Sequence, residues 1–220
     1  MLLFLHEKND LGIHSEMFSE GVVDLYNEGV VSPHLIPNIA LVDPELIYSC
    51  PQGVTAASGM DALIHNLEAY ISVNATMHTD PLAAEGIKLI SNSIRTAVFD
   101  GGNAWARHSM AMGSLPGGIA FGKAGVGDVH AMSYPIGGMF HVPHGIANTL
   151  LLPWVMEYNM LASPRFFMEI GGFMGENMAG LPRHGDQARQ RAGQGEEGAG
   201  EEGRRQEVGP PGARRMVTAG

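Results

Sequence analysis

The chain is 220 residues long, 45% hydrophobic, and carries 23 acidic against 13 basic side chains, a formal net charge of −10. That balance provides no basic face to neutralise phosphates and argues against a nucleic-acid partner, while the length allows one large or two small domains with a sizeable core. A single cysteine, Cys50, excludes an intrachain disulfide framework and a thiolate metal cluster; it fits the reducing cytoplasm and leaves histidine and carboxylate as the available metal donors.

The opening MLLFL is apolar, but His6, Glu7 and Lys8 interrupt it well short of a signal-peptide core or a membrane span. Ile39 to Val42, followed by Asp43-Pro44, reads as a short buried strand or extended run, and is the one strand-like piece the pattern supports. From Thr55 the stretch TAASGMDALIHNLEAYIS has helical apolar spacing. Asp80 followed by Pro81 reads as an N-cap with proline at the first helical position, and Leu82, Gly86, Leu89, Ile90, Ile94 and Ala97 continue one stripe until Asp100-Gly101-Gly102 ends it. A further helix begins near Asn103, with Trp105, Met110 and Met112 as apolar positions, and Pro116-Gly117-Gly118 is expected to kink or break it.

Gly122 to Gly127, GKAGVG, lacks the spacing of a phosphate-binding loop, so its glycines are assigned to close helix packing. Pro135 and Gly137-Gly138 are expected to turn the chain between His130 and His144, so that the two histidines flank a loop. A helix from about Pro143 then carries Ile146, Leu150, Leu151 and Val155 inward. From Arg183 the composition changes to seven arginines with no lysine, leucine or isoleucine, and runs such as GQGEEGAGEEGRR have no apolar period. Such a segment cannot bury enough surface to fold, and it reads as a disordered tail or as out-of-frame translation.

The chemistry-bearing residues are Asp61, His65, His130 and His144. Residues four apart project from the same helical face, so Asp61 and His65 could grip one ion from one rigid element, although such a pair also occurs as a plain polar contact on a helix surface. One carboxylate and three imidazoles suit Fe(II) or Zn(II), whereas Mg(II) or Ca(II) would call for mostly oxygen donors. Glu68, one turn beyond His65, offers an acceptor for an imidazole N–H, but a solvated carboxylate is the simpler expectation. His78, His108 and His141 are read as non-ligands.

The motifs GMDALIHNLEAYIS, AGVGDVHAMSYPIGGMFHVPHGIAN and LLLPWVMEYN, in that order, resemble the C-terminal helical half of the iron-containing (group III) alcohol dehydrogenase family. The resemblance runs from about Val31 to about Pro182 and includes IALVDPEL at Ile39 to Leu46. It implies a mainly α fold, a helical bundle without the family's N-terminal α/β nucleotide-binding domain, since no glycine-rich GGGS-type run occurs. It places Asp61, His65, His130 and His144 on family metal-ligand positions and Phe121 on a position lining the substrate pocket. The family's second histidine, four residues after the third ligand and near the nicotinamide, is Tyr134 here, and Lys123 replaces a usual asparagine.

The AFGKAGVGDVHAMSYPIGG run resembles the 4-hydroxybutyrate dehydrogenase branch of that family. The implied activity is oxidation of a primary alcohol or a hydroxy acid such as 4-hydroxybutyrate to the aldehyde. Hydride would go to NAD or NADP, with Fe(II) or Zn(II) as Lewis acid, Tyr134 near the nicotinamide or relaying a proton, and homo-oligomers possible. A non-catalytic helical metal-binding fragment is the alternative. Residues 7–30, EKNDLGIHSEMFSEGVVDLYNEGV, resemble an internal stretch of 4-hydroxybutyrate CoA-transferase, departing at Glu20 where that family has aspartate. The expected organisation is thus a poorly packed transferase-like segment at 1–30, a helical metal-binding domain at 31–182 and a tail at 183–220, with little or no turnover from this chain alone.

Overall fold

The computed structural model describes residues 2–6, 9–14 and 39–179, the first two segments by their backbone alone. The mainly α expectation holds: among the described residues six helices follow one another as α1 Gln52–Ile71, α2 Thr79–Phe99, α3 Ala104–Ala124, α4 Asp128–Phe140, α5 His144–Ala162 and α6 Pro164–Phe173. The tail at 183–220 and most of the segment at 1–30 lie outside the described residues.

Three strands precede the helices, β1 Leu2–His6, β2 Asn9–His14 and β3 Ile39–Val42, in an antiparallel sheet of order β2-β1-β3. The sequence pointed to β3 only. Pairing of β1 with β3, Leu3 opposite Leu41, is non-local, and Glu7-Lys8 between β1 and β2 carries none of the Asn-Gly chemistry that marks a tight hairpin. Nor is β3 buried: it forms an edge of the sheet, and Ile39 and Leu41 are exposed.

Helix boundaries follow local chemistry where a cap is available. The helix expected from near Asn103 starts there, and Asn103 caps α3, its side chain accepting the Ala106 amide at 3.0 Å. Asp80 does not cap α2. The helix starts two residues earlier, at Thr79, where Thr79 N–H donates to Thr76 Oγ1 at 3.2 Å and Thr76 N–H to Thr79 Oγ1 at 2.7 Å. Pro81 then falls within the first turn, where a missing N–H removes no intrahelical bond.

Two expected breaks do not occur. Helix α3 runs through Pro116-Gly117-Gly118, and α4 runs through Pro135 and Gly137-Gly138. Each proline forfeits a ladder bond, and in α3 tertiary packing holds the helix on both sides of Pro116. A Cβ at Gly117 or at Gly86 of α2 would collide with the Asn66 side chain of α1, and Asn66 Nδ2 donates to Gly113 O of α3 at 3.2 Å. The glycines therefore bring α1, α2 and α3 together rather than ending a helix. The real turn after α4 is at His141, which adopts the left-handed conformation with φ 54°. Packing does not explain GKAGVG either: a Cβ at Gly122 or Gly125 would meet nothing, and Gly125 is needed for its φ of 76° at the end of α3.

The core lies between α1, α2 and α3, with Leu63, Leu67, Ile71, Ile87, Ile90, Met110 and Ala120 buried. The expected apolar Trp105 is exposed. On α5 the inward face is Ala147, Asn148, Val155 and Asn159, with Leu151 and Leu152 half-buried, whereas Ile146 and Leu150 point outward with Trp154 and Tyr158. Both faces of that helix are apolar, so periodicity alone could not choose between them.

Candidate metal centre

The second half of α1 is buried almost all round, and it carries Asp61 and His65 on one face into the space between α4 and α5. His130 sits in the first turn of α4, and His144 is the first residue of α5. The loop joining them is only His141 to Pro143, not the longer turn expected from Pro135. Helix α5 reaches α1 because its second residue is glycine: a Cβ at Gly145 would collide with the backbone of Ala57.

Thus all the sequence-predicted donors meet at one carboxylate. Asp61 Oδ2 lies 3.9 Å from His65 Nδ1, and Asp61 Oδ1 lies 3.5 Å from His130 Nε2 and 3.6 Å from His144 Nε2. One donor atom each from Asp61, His65 and His130 falls within 4.8 Å of the others; His144 stands outside that group and joins it through Asp61 Oδ1. The His130 ring is 1% exposed, and its Nε2 is buried without a hydrogen-bond partner. A buried polar nitrogen without a partner is costly, and a cation shared with Asp61 would satisfy it. The donor set, one carboxylate and three imidazoles, fits a divalent transition metal.

Rings wall this space. Phe121 of α3 stacks on His65 with centroids 4.4 Å apart, and His65 in turn stacks on His130 at 4.6 Å. Tyr134, one turn along α4 from His130, stacks on His144 at 5.6 Å. Lys123 lies in the last turn of α3, exposed. Among the expected non-ligands, His141 ends α4.

Charge in the cluster is set by burial against mutual attraction. Burial alone would raise the Asp61 carboxyl, but His65, His130 and His144 hold it below the usual carboxylate range. Burial pushes His65 down to about 4 against the pull of Asp61, and pushes His144 down as well. His130 is opposite: burial works against its charge, yet Asp61 and Glu68 on either side raise it to about 9. Burial, reinforced by Asp61 and Glu68, raises Tyr134, so its phenol stays protonated. Two imidazoles therefore present neutral nitrogens, and a third sits between two carboxylates that favour positive charge.

Two residues complete the arrangement. Glu68, for which a solvated carboxylate was the simpler expectation, is 0% exposed and accepts from Gly127 N at 2.8 Å and Val129 N at 2.7 Å, with His130 Nδ1 at 2.6 Å. Asn148, not singled out from sequence, donates Nδ2 to Asp61 Oδ1 at 2.7 Å and lies 3.0 Å from His144 Nε2. Its one signal in the sequence was position: four residues after His144, it shares that residue's face.

Known proteins share this sequence and fold. Residues 55–193 match the model of the Fe-containing alcohol dehydrogenase family, C-terminal. The chain is 47% identical over 152 residues to 1,3-propanediol dehydrogenase of Klebsiella pneumoniae, covering 69% of this chain and 39% of that protein. It is 45% identical over 172 residues to long-chain-alcohol dehydrogenase 1 of Geobacillus thermodenitrificans, covering 77% of this chain and 44% of the relative. A crystal structure of 1,3-propanediol oxidoreductase superposes with a TM-score of 0.63 at 48% identity, over 64% of this chain and 37% of that one. The chain thus spans about two fifths of the length of the curated relatives it matches.

Proposed function

Because the chain belongs to the Fe-containing alcohol dehydrogenase family, we propose that it provides the metal-holding part of an enzyme that oxidises an alcohol to its aldehyde with hydride transfer to NAD or NADP. The observation that carries this reading is the meeting of His65, His130 and His144 around the Asp61 carboxylate, reached from three separate helices.

A divalent cation held there, Fe(II) by family or Zn(II), supplies Lewis acidity toward the alcohol oxygen. Asp61 contributes the negative charge and keeps it close because the three imidazoles and the Asn148 amide surround it. His65 and His144 offer neutral nitrogens at ordinary pH, since burial disfavours their protonated forms. Phe121 covers one face of His65 with its ring, excluding water and lining the substrate side. Tyr134 holds a phenol proton and stacks its ring on His144, which supports a role in relaying a proton or facing the nicotinamide.

The substrate is a primary alcohol or a hydroxy acid. Support for 4-hydroxybutyrate comes from the AFGKAGVGDVHAMSYPIGG run and from Tyr134 within it, whereas the relatives named above act on 1,3-propanediol and long-chain alcohols. The family resemblance also supports self-association, and the single cysteine supports a cytoplasmic location. No helix among the described residues is long and apolar enough to cross a membrane.

Metal content of the purified chain, with and without His65→Ala, tests the reading. Loss of uptake in the variant is expected, and equal uptake by both would remove the ligand assignment. A hydride-transfer assay with Fe(II), NAD(H) and succinate semialdehyde separates a dehydrogenase part from a complete catalyst. These 220 residues alone are expected to bind metal and turn over little, and robust turnover would show the chain to be sufficient.

A further inference from the structure

Glu68 takes no place in the donor set, yet it is the most completely enclosed carboxylate beside it, at 0% exposure. A buried carboxylate needs donors on its oxygens. Both oxygens have one from the start of α4: Oε1 accepts from Val129 N at 2.7 Å and Oε2 from Gly127 N at 2.8 Å. These are amides that a helix start leaves without intrahelical partners, and α4 has no side-chain cap of its own. Glu68 therefore caps α4 from α1. The third contact, His130 Nδ1 to Oε2 at 2.6 Å, is fixed by that arrangement. An ionised carboxylate can only accept, so Nδ1 carries the hydrogen and donates it.

We propose that Glu68 is a positioning residue which, by holding His130 through Nδ1–H and the first turn of α4 through two amides, leaves Nε2 of His130 as the nitrogen turned to the cation. The inference rests on the metal reading above and adds to it. Nε2 is the buried nitrogen without a partner, facing Asp61 Oδ1 at 3.5 Å. Outer partners of this kind orient a ligating imidazole, and their loss typically weakens metal binding about 10- to 100-fold.

Glutamine cannot reproduce the contacts. With its oxygen in the Oε2 place, its NH2 faces the Val129 N–H. With its NH2 there, it faces the Gly127 N–H and donates to Nδ1, which selects the tautomer whose Nε2 carries a hydrogen.

The test uses the full 220-residue chain, Zn(II) as the probe and a competing chelator to read affinity. Glu68→Gln is expected to bind about 10- to 100-fold more weakly, while in a His130→Ala background the same substitution costs nothing further. Equal losses in both backgrounds would mean that Glu68 acts through general stability, and would overturn the proposal. Long-range 1H–15N spectra of the Zn(II)-loaded wild type provide a second reading that no variant's folding can spoil. Nδ1 protonated and Nε2 metal-bound in His130 is the expected result, and metal on Nδ1 refutes it. A wild-type chain that takes up no Zn(II) would instead refute the metal reading on which the role depends, whereas normal uptake with an indifferent Glu68→Gln would defeat only the role of Glu68.

Discussion

The amide of Asn148 on α5 donates to Asp61 Oδ1 on α1 at 2.7 Å, so the carboxylate that three histidines share is also fixed by a neutral donor. The same amide nitrogen lies 3.0 Å from His144 Nε2. Asn148→Ala should leave the helices intact by circular dichroism and weaken Zn(II) binding by about tenfold. Asn148→Asp should lower the melting temperature of the metal-free chain further than alanine does, because a second carboxylate then faces Asp61 in a buried space. Unchanged affinity in the alanine variant would remove Asn148 from the site.

Gly145 allows α5 to approach α1, and its neighbour His144 reaches Asp61 only through that approach. Gly145→Ala drives a methyl into the Ala57 backbone and should cost about 1–3 kcal/mol of stability, with a larger proportional loss of metal affinity as His144 is displaced. Gly118→Ala is the contrasting case: it lies mid-helix in α3 with open space around its Cβ position. It should stabilise the chain by up to about 1 kcal/mol. Thermal melts of the two variants should therefore move in opposite directions.

Tyr134→Phe keeps the ring that stacks on His144 and removes only the phenol. Metal affinity of the chain should be unchanged, while Tyr134→Ala, which deletes the stack, should weaken it several-fold. A tenfold loss in the phenylalanine variant would show the phenol itself to be part of the donor set.

Much of the site was legible because its chemistry is local or compositional. Asp61 and His65 announce themselves by helical spacing, whereas His130 and His144 stood out from the other histidines by their setting, among small residues and in Pro-His-Gly at an expected helix start, and by the family resemblance. What could not be read depends on contacts distant in sequence. Glu68 looked like a surface carboxylate until α4 delivered two amides and an imidazole to it. Pro116 looked like a break because the local ladder cost is visible in sequence, whereas the inter-helix packing around Asn66 that outweighs it is not. The outward turn of Leu150 had the same origin, since α5 has apolar residues on two faces and only tertiary structure selects one.

The proposed division of the chain at residues 30 and 182 predicts its behaviour toward protease. Brief digestion should leave a protected core beginning near Val31 and ending near Pro182, identified by mass. Uniform digestion from end to end would contradict the division.

The prolines inside α4 and α5 are unequally shared with respect to the donors. Helix α1, which supplies Asp61 and His65, has no internal proline, whereas Pro135 and Pro153 interrupt the ladders of the helices that carry His130 and His144. Half of the cage thus stands on a helix with an uninterrupted ladder, and the other half on helices that each lack a backbone bond. An arriving ion would act as a rivet between the two. Loading should slow amide exchange in α4 and α5 far more than in α1, so occupancy is written in the motions of the weaker partners.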